Sequence, residues 1–354
     1  MLRGMEIFPP ALATIPADSP PPTPVNIPSP SLPFPEPLES AGIQPLDLMA
    51  EAGRKTLLYH FAEMLSHETG TRLGEDIEQL HDMRVATRRM RAALDIFSQY
   101  YSPKAIKPHL NGLRTTGRTL GRVRDLDVFI DKSQLYLAEL PQSDRDGLQP
   151  LLESWDSERE ALRIKLVAYL ESKNYQEFKE RFNYFLQTPG KGVLHTQTEF
   201  PIPTLVKDVA PLLIYSRWVA VRAYDAILPS ASLDQLHALR IEFKKLRYSV
   251  EFFREVLGDQ AKTIINILKG LQDHLGDLND ARVACQKLSD FLTAWETRLV
   301  QLPMADRFNP EPIVAYLAYK HSERHQLMLS FPKRWEEFNQ PEFRDNLLLA
   351  ISVL

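Results

Sequence analysis

The sequence predicts an all-α fold, and three observations support that prediction. Most segments place apolar residues three or four positions apart, which is the spacing of one helix face. No segment shows the alternating pattern of a β-strand, and glycine is scarce, with 14 in 354 residues. Residues 79–97 recur without a gap as residues 235–253, which predicts two pseudo-symmetric helical bundles that arose by internal duplication.

The first 40 residues differ in composition from the rest of the chain. They contain twelve of the 27 prolines. Because proline fixes φ and removes a backbone donor, residues 1–40 are predicted to form a disordered or extended tail. A docking motif for a protein partner that recognises proline is the alternative interpretation of this tail.

The rest of the chain divides into two halves with the same order of elements. Residues 41–190 form the first half, residues 191–203 a linker, and residues 204–354 the second half. The expected helices of the first half are 46–67, 79–97, 109–136, 151–172 and 174–187. Those of the second half are 204–228, 235–253, a long helix that opens at 258–260, and then 280–300 and 310–338.

The duplicated helices each carry an apolar stripe and a separate basic stripe. The basic residues are spaced 3, 4 and 3 apart, so each set shares one helix face. The two sets are His81, Arg84, Arg88 and Arg91, and His237, Arg240, Lys244 and Arg247. Like charges at these spacings destabilise a helix by roughly 0.2–0.5 kcal/mol per pair. The repeated stripes therefore indicate that a counter-charge comes from elsewhere.

A further basic row is predicted on the helix at 109–136. Arg114, Arg118 and Arg122 lie four residues apart and so share one helix face. Glycines at 117 and 121 follow the same spacing, and they would allow another helix or an extended anion to approach closely. This row is therefore a candidate extension of the basic stripe.

The second half matches that row less well. Its corresponding positions are Lys269, Asp273 and Asp277, so two of the three charges are reversed. The first half should therefore contribute more of the positive potential. A local ion pair is expected between Arg124 and Asp125, which lie outside the row.

The motif blocks of both halves resemble one known family. The pattern His-x-x-Arg-(Val/Ile)-x-x-(Arg/Lys)-(Arg/Lys)-hydrophobic-Arg resembles CHAD, the conserved-histidine α-helical domain. The stretches LGRVRDLDV at 120–128 and LQDHLGDLNDARV at 271–283 resemble the second block of that family. The resemblance covers roughly residues 45–340. It implies two similar helical bundles that form one domain, a basic central channel, binding of inorganic polyphosphate, and no catalytic residues.

Under this resemblance the basic positions become candidate polyphosphate contacts. Arginine offers a planar fork of donors that matches phosphate oxygens. We therefore expect non-catalytic binding in a channel or groove, with no cofactor and no metal. The candidate contacts are His81, Arg84, Arg88, Arg91, Arg114, Arg118, Arg122, His237, Arg240, Lys244, Arg247 and Lys269.

Bulk properties limit the other classes of function. The net charge of −4 argues against a general nucleic-acid coat, so a polyanion site must be local. The single cysteine, Cys285, excludes an intrachain disulfide and suits a reducing compartment. No apolar run has the length of a membrane span, and Pro9 and Pro10 interrupt any signal-peptide core. These features favour a cytoplasmic protein without a membrane partner, and polyphosphate granules are a candidate location.

Three alternatives remain open from the sequence. The same stripes could bind nucleic acid, although regular aromatic side chains for base stacking are missing from them. They could also bind an acidic protein partner. A metal-dependent phosphohydrolase of the HD type is less favoured, with ligands from His60, His81, Asp82 and either Asp125 or Asp127.

Overall fold

The protein is all-α, as predicted, in a computed structural model that describes residues 32–194, 203–299, 303 and 309–354. Eleven α-helices and no β-strand occur among these residues, and none of the helices is long and apolar enough to cross a bilayer. The helices are α1 (Met49–Ser66), α2 (Glu68–Leu73), α3 (Ile77–Phe97), α4 (Pro103–Glu139), α5 (Gln149–Glu171), α6 (Lys173–Leu186), α7 (Val206–Arg222), α8 (Leu233–Phe252), α9 (Gln260–Leu299), α10 (Glu311–Phe338) and α11 (Pro341–Ile351). Residues 1–31 of the predicted tail and residues 195–202 of the predicted linker lie outside the described residues.

Helix α9 corrects the predicted division of the second half. We expected a new helix at 280–300, but α9 continues without a break over 40 residues. The reason is that its buried face continues across the expected boundary, where Leu278, Ala281, Cys285 and Leu288 are each at most 4% exposed. These residues are three or four apart and α9 packs along α10, so tertiary packing holds the two expected pieces together.

The two halves repeat one order of packing. Helix α1 packs against α3 and α3 against α4, while α7 packs against α8 and α8 against α9. Helices α3 and α8, which carry the duplicated stripes, also pack against each other. Met83 and Met90 of α3 and Leu239 and Phe243 of α8 belong to one continuous hydrophobic core. Each such side chain contributes about 1.5–3 kcal/mol by leaving water, so the shared core fixes the two stripes relative to each other.

Residues 32–43 connect the two halves outside the helices. Two carbonyl oxygens at the start of this segment accept hydrogen bonds from the amide of Asn183 on α6, at 2.9 and 3.2 Å. The carboxylate of Glu255, just after α8, accepts hydrogen bonds from the backbone N–H groups of Ala41 and Ile43 at 3.0 and 2.6 Å. The described end of the predicted tail therefore contacts α6 of the first half, and residues 41–43, which follow the tail, contact the second half.

Gly112 sets how closely α4 approaches α6, because a Cβ at this position would overlap the ring of Phe178. We expect Gly112→Ala to lower the free energy of unfolding by about 1–3 kcal/mol, the usual cost of overpacking a core. Gly270→Ala on α9 is the matched control, since a Cβ there meets nothing within 4 Å. The control should gain up to about 1 kcal/mol from helix propensity. Urea denaturation followed by circular dichroism measures both changes, and a Gly112→Ala variant of undiminished stability would contradict this packing.

Candidate functional site

Helices α3 and α8 bring the two basic stripes together around one lysine. The ammonium group of Lys244 interacts electrostatically with Arg240 of its own helix and with Arg84 and Arg88 of α3. Burial, followed by these cations and Arg247, lowers the pKa of Lys244 to about 7. We call Arg84, Arg88, Arg240 and Lys244 the central cluster, and all four are half-buried.

Most of the central cluster forms no ion pair within the described part of the chain. Arg88, Arg240 and Lys244 form no ion pair there, and the Nε atoms of Arg88 and Arg240 are buried without a hydrogen-bond partner. The adjacent Lys245, by contrast, pairs with Glu242 at 2.6 Å. Partly buried cations without a partner raise the free energy of the folded state. The arrangement therefore favours an anion supplied from outside.

Acidic residues border the central cluster on the side of the second motif block. Asp125 of α4 pairs with Arg84 at 3.4 Å. Asp280 occupies the matching position of α9 and interacts electrostatically with both Arg84 and Arg240. The site is therefore bounded at this end by one carboxylate from each half.

The predicted ion pair between Arg124 and Asp125 is wrong. Arg124 pairs instead with Glu78 at 3.5 Å, while Asp125 pairs with Arg84. The reason is that adjacent residues of a helix do not face each other, so their side chains reach different neighbours. Both side chains of this motif therefore connect α4 to α3.

Arg247 lies at the other end of the α8 stripe and is engaged within the protein. It is 7% exposed, and its guanidinium donates to Glu251 at 2.5 Å and to Gln272 at 2.9 Å. Glu251 also lies 3.8 Å from Arg89 of α3. Because these donors already have acceptors, we leave Arg247 out of the proposed contacts, although the sequence placed it among them.

Two glycines at matching positions leave space beside the arginines of the cluster. A Cβ at Gly121 of α4 would lie 3.5 Å from Nε of Arg84. A Cβ at Gly276 of α9 would lie 3.8 Å from a terminal nitrogen of Arg240. Any side chain longer than alanine would therefore displace these guanidinium groups.

The predicted basic row of α4 lies at the surface. Arg114, Arg118 and Arg122 are exposed, and none of them forms an ion pair with a described residue. A Cβ at Gly117 would lie 3.7 Å from a terminal nitrogen of Arg91 on α3. The row therefore runs beside the exposed end of the α3 stripe and widens the positive surface on the side of the first half.

The remaining predicted contacts lie in different surroundings. His81 is half-buried, and burial followed by the nearby Arg124 lowers the pKa of its imidazole. His237 is exposed, with its Nδ1 at 2.9 Å from Oδ1 of Asn279. Lys269 is exposed on α9, the helix whose row has reversed charges. None of these three is among the groups that lower the pKa of Lys244, so we leave them outside the central cluster.

The described residues do not assemble a metal centre. No group of three or more His, Cys, Asp or Glu side chains among them is arranged to hold a metal ion. His60 packs against the rings of Tyr59 and Phe252, and its pKa falls to about 3, mainly through burial. Asp127 pairs with Arg159 of α5. These placements give no support to the hydrolase alternative.

Comparison with solved structures finds chains of the same fold. A crystal structure of the CHAD domain from the plant Ricinus communis has a TM-score of 0.59 and 21% identity, over 88% of this chain and 94% of that one. PptA from Streptomyces chartreusis has a TM-score of 0.60 and 14% identity, over 82% of this chain and all of the other. Comparison with curated proteins found no match. The model of the CHAD domain matches residues 55–289, and this match shows that the chain belongs to the CHAD domain family.

Proposed function

We propose that this protein binds inorganic polyphosphate at the central cluster without catalysing a reaction. The observation that carries the proposal is the convergence of Arg84, Arg88, Arg240 and Lys244 from both halves, with three of the four lacking an ion-pair partner among the described residues. A polymer of opposite charge would supply the missing counter-charge. With its single cysteine the protein suits a reducing compartment. We place it in the cytoplasm, in association with polyphosphate granules.

Polyphosphate suits this site because both partners repeat their charges. A single arginine–phosphate contact in water is weak, since salt screens exposed charges over about 8 Å at physiological ionic strength. Several contacts made together give strong binding and release several counterions. The half-buried cations strengthen each contact further because their surroundings are less polar than water.

Nucleic acid fits the same surface less well. Base recognition commonly uses exposed aromatic side chains among the cations. Tyr248 is the aromatic residue beside the α8 stripe, but it is 5% exposed and lies under the guanidinium of Arg247, 4.9 Å from its ring centre. It therefore offers no stacking surface to a base. An acidic protein surface would have to reach half-buried groups on two helices that pack against each other, which a thin polymer reaches more easily.

Charge reversal in the central cluster tests the proposed site. The double variant Arg88→Glu and Lys244→Glu should weaken polyphosphate binding by about 100-fold or more, because two charge-assisted contacts are lost and two repulsions appear. Isothermal titration calorimetry measures the change, and circular dichroism checks helicity. The control is Lys173→Glu with Lys333→Glu, which changes net charge equally at exposed positions of α6 and α10. Equal affinities of the two variants would contradict the site.

The pH dependence of binding tests the role of Lys244. Its pKa of about 7 lies below the usual value because of burial and neighbouring cations, and a bound polyanion favours the charged form. Binding should therefore take up a proton, and affinity should rise as pH falls from about 9 to about 7 before levelling off near pH 6. Lys244→Arg stays charged throughout this range and should flatten the profile. A profile that keeps its shape in this variant would contradict the assignment.

Chain length tests the contribution of the α4 row. Arg122 follows Gly121, which lies beside Arg84 of the cluster, and Arg114 is about 12 Å further along the helix axis, so only a long chain reaches Arg114 while it fills the cluster. Arg114→Glu with Arg118→Glu should therefore weaken long polyphosphate by about tenfold or more and change tripolyphosphate binding little. The control with Lys173 and Lys333 reversed should affect neither ligand. Equal losses for both chain lengths would contradict a separate role for the row.

A further inference from the structure

A basic recess separate from the central cluster lies at the start of α8, where this helix meets α9 and α10. It has a volume of about 560 Å³. We call it the lateral pocket. Its polar and charged lining is Asp234, His237, Asn279, Arg282, Gln286, Ser289, His321 and Arg324, with Cys285 also in its wall. Its volume is within the usual range of small-molecule sites.

The charges of the lateral pocket leave donors available to an anion. Arg282 pairs with its one lining carboxylate, Asp234, at 2.7 Å. Arg324 has no ion pair among the described residues and donates to Nδ1 of His321 at 2.9 Å. Because Nδ1 of that ring accepts, its Nε2 carries the proton and is a further donor. With His237 beside them, the lining holds two arginines and two histidines against one carboxylate.

The corresponding positions of the first half are occupied differently. By the offset between the duplicated blocks, His237 and Asn279 match His81 and Arg124, and Arg282 matches Asp127. In the first half two of these three positions are engaged in ion pairs, because Arg124 binds Glu78 at 3.5 Å and Asp127 binds an arginine from α5. In the second half α10 instead contributes the unpaired guanidinium of Arg324. The lateral pocket thus results from a divergence of the two halves.

We propose that the lateral pocket binds a terminal phosphate group, which has three free oxygens and a charge near −2. Guanidinium forks and neutral amide and hydroxyl donors suit such a group better than a bridging phosphate, which exposes fewer oxygens. Two sources share this chemistry, namely free pyrophosphate and the end of a polyphosphate chain. His237 lies one turn before Arg240 of the central cluster, so a chain held there would pass the carboxylate of Asp280 to place its end in the pocket. Only this second source rests on the proposed function.

The single cysteine offers a reporter that is specific to this pocket. Cys285 is 4% exposed and lies in the pocket wall, so a small reagent such as iodoacetamide reaches it through the recess. Saturating pyrophosphate should slow its alkylation by about fivefold in the wild type, because bound ligand blocks the path. Cyclic trimetaphosphate has no terminal phosphate and should leave the rate unchanged. The half-saturating pyrophosphate concentration should rise by about tenfold in Arg324→Gln, the loss expected for one charge-assisted contact.

The control variants separate this pocket from the central cluster. Arg334→Gln removes a charge from the same helix at a side chain that is 60% exposed and paired with Glu337, and it should behave as the wild type. Lys244→Gln should keep protection by pyrophosphate. Protection by long polyphosphate that is lost in Lys244→Gln supports the end of a chain held at the central cluster as the source, whereas protection by pyrophosphate without protection by long polyphosphate supports free pyrophosphate. No protection by pyrophosphate, equal protection by the cyclic compound, or an unchanged Arg324→Gln variant would overturn the proposal.

Discussion

Cations between α3 and α8, most of which form no ion pair with a described residue, are the constraint on which the candidate site depends. The shared core holds both helices in place, so the cations of the central cluster cannot separate to reduce their repulsion. Lys244 shows the consequence most clearly, since burial and four arginines lower its pKa to about 7. Hydrophobic packing therefore maintains an electrostatically unfavourable arrangement, which the proposed anion would relieve.

The two halves use this common plan differently. Asp125 and Asp280 limit the cluster at one end, and Glu251 engages the arginines at the other, so the free cations occupy a short middle section. The first half extends this section sideways through the exposed arginines of α4. The second half reverses that charge with Asp273 and Asp277 and carries the lateral pocket instead. Each half thus makes its own addition to a shared centre.

Most helices and both stripes were predictable from the sequence, because they follow from spacing along one chain, but the prediction divided α9 in two and lacked α2 and α11. It could not reveal that Arg247 is engaged, since one of its acceptors, Gln272, comes from a different helix. The aspartates were a missed signal. Asp125 and Asp280 are offset by 155, as are Leu120 and Leu275 of the same motif blocks, yet Asp125 was assigned to a local pair. Residues at the edge of a site are placed there by tertiary packing, so spacing within one helix does not predict them.

The salt dependence of polyphosphate binding tests the central claim most directly, because it counts the cations that neutralise the ligand. The association constant would be measured at several salt concentrations for the wild type, for Arg88→Gln, for Lys244→Gln and for the double variant. Each cation removed should reduce the slope of log K against log salt concentration by about one unit, so the double variant should lose about two. A double variant that keeps the wild-type slope and affinity would show that these groups do not contact the polymer.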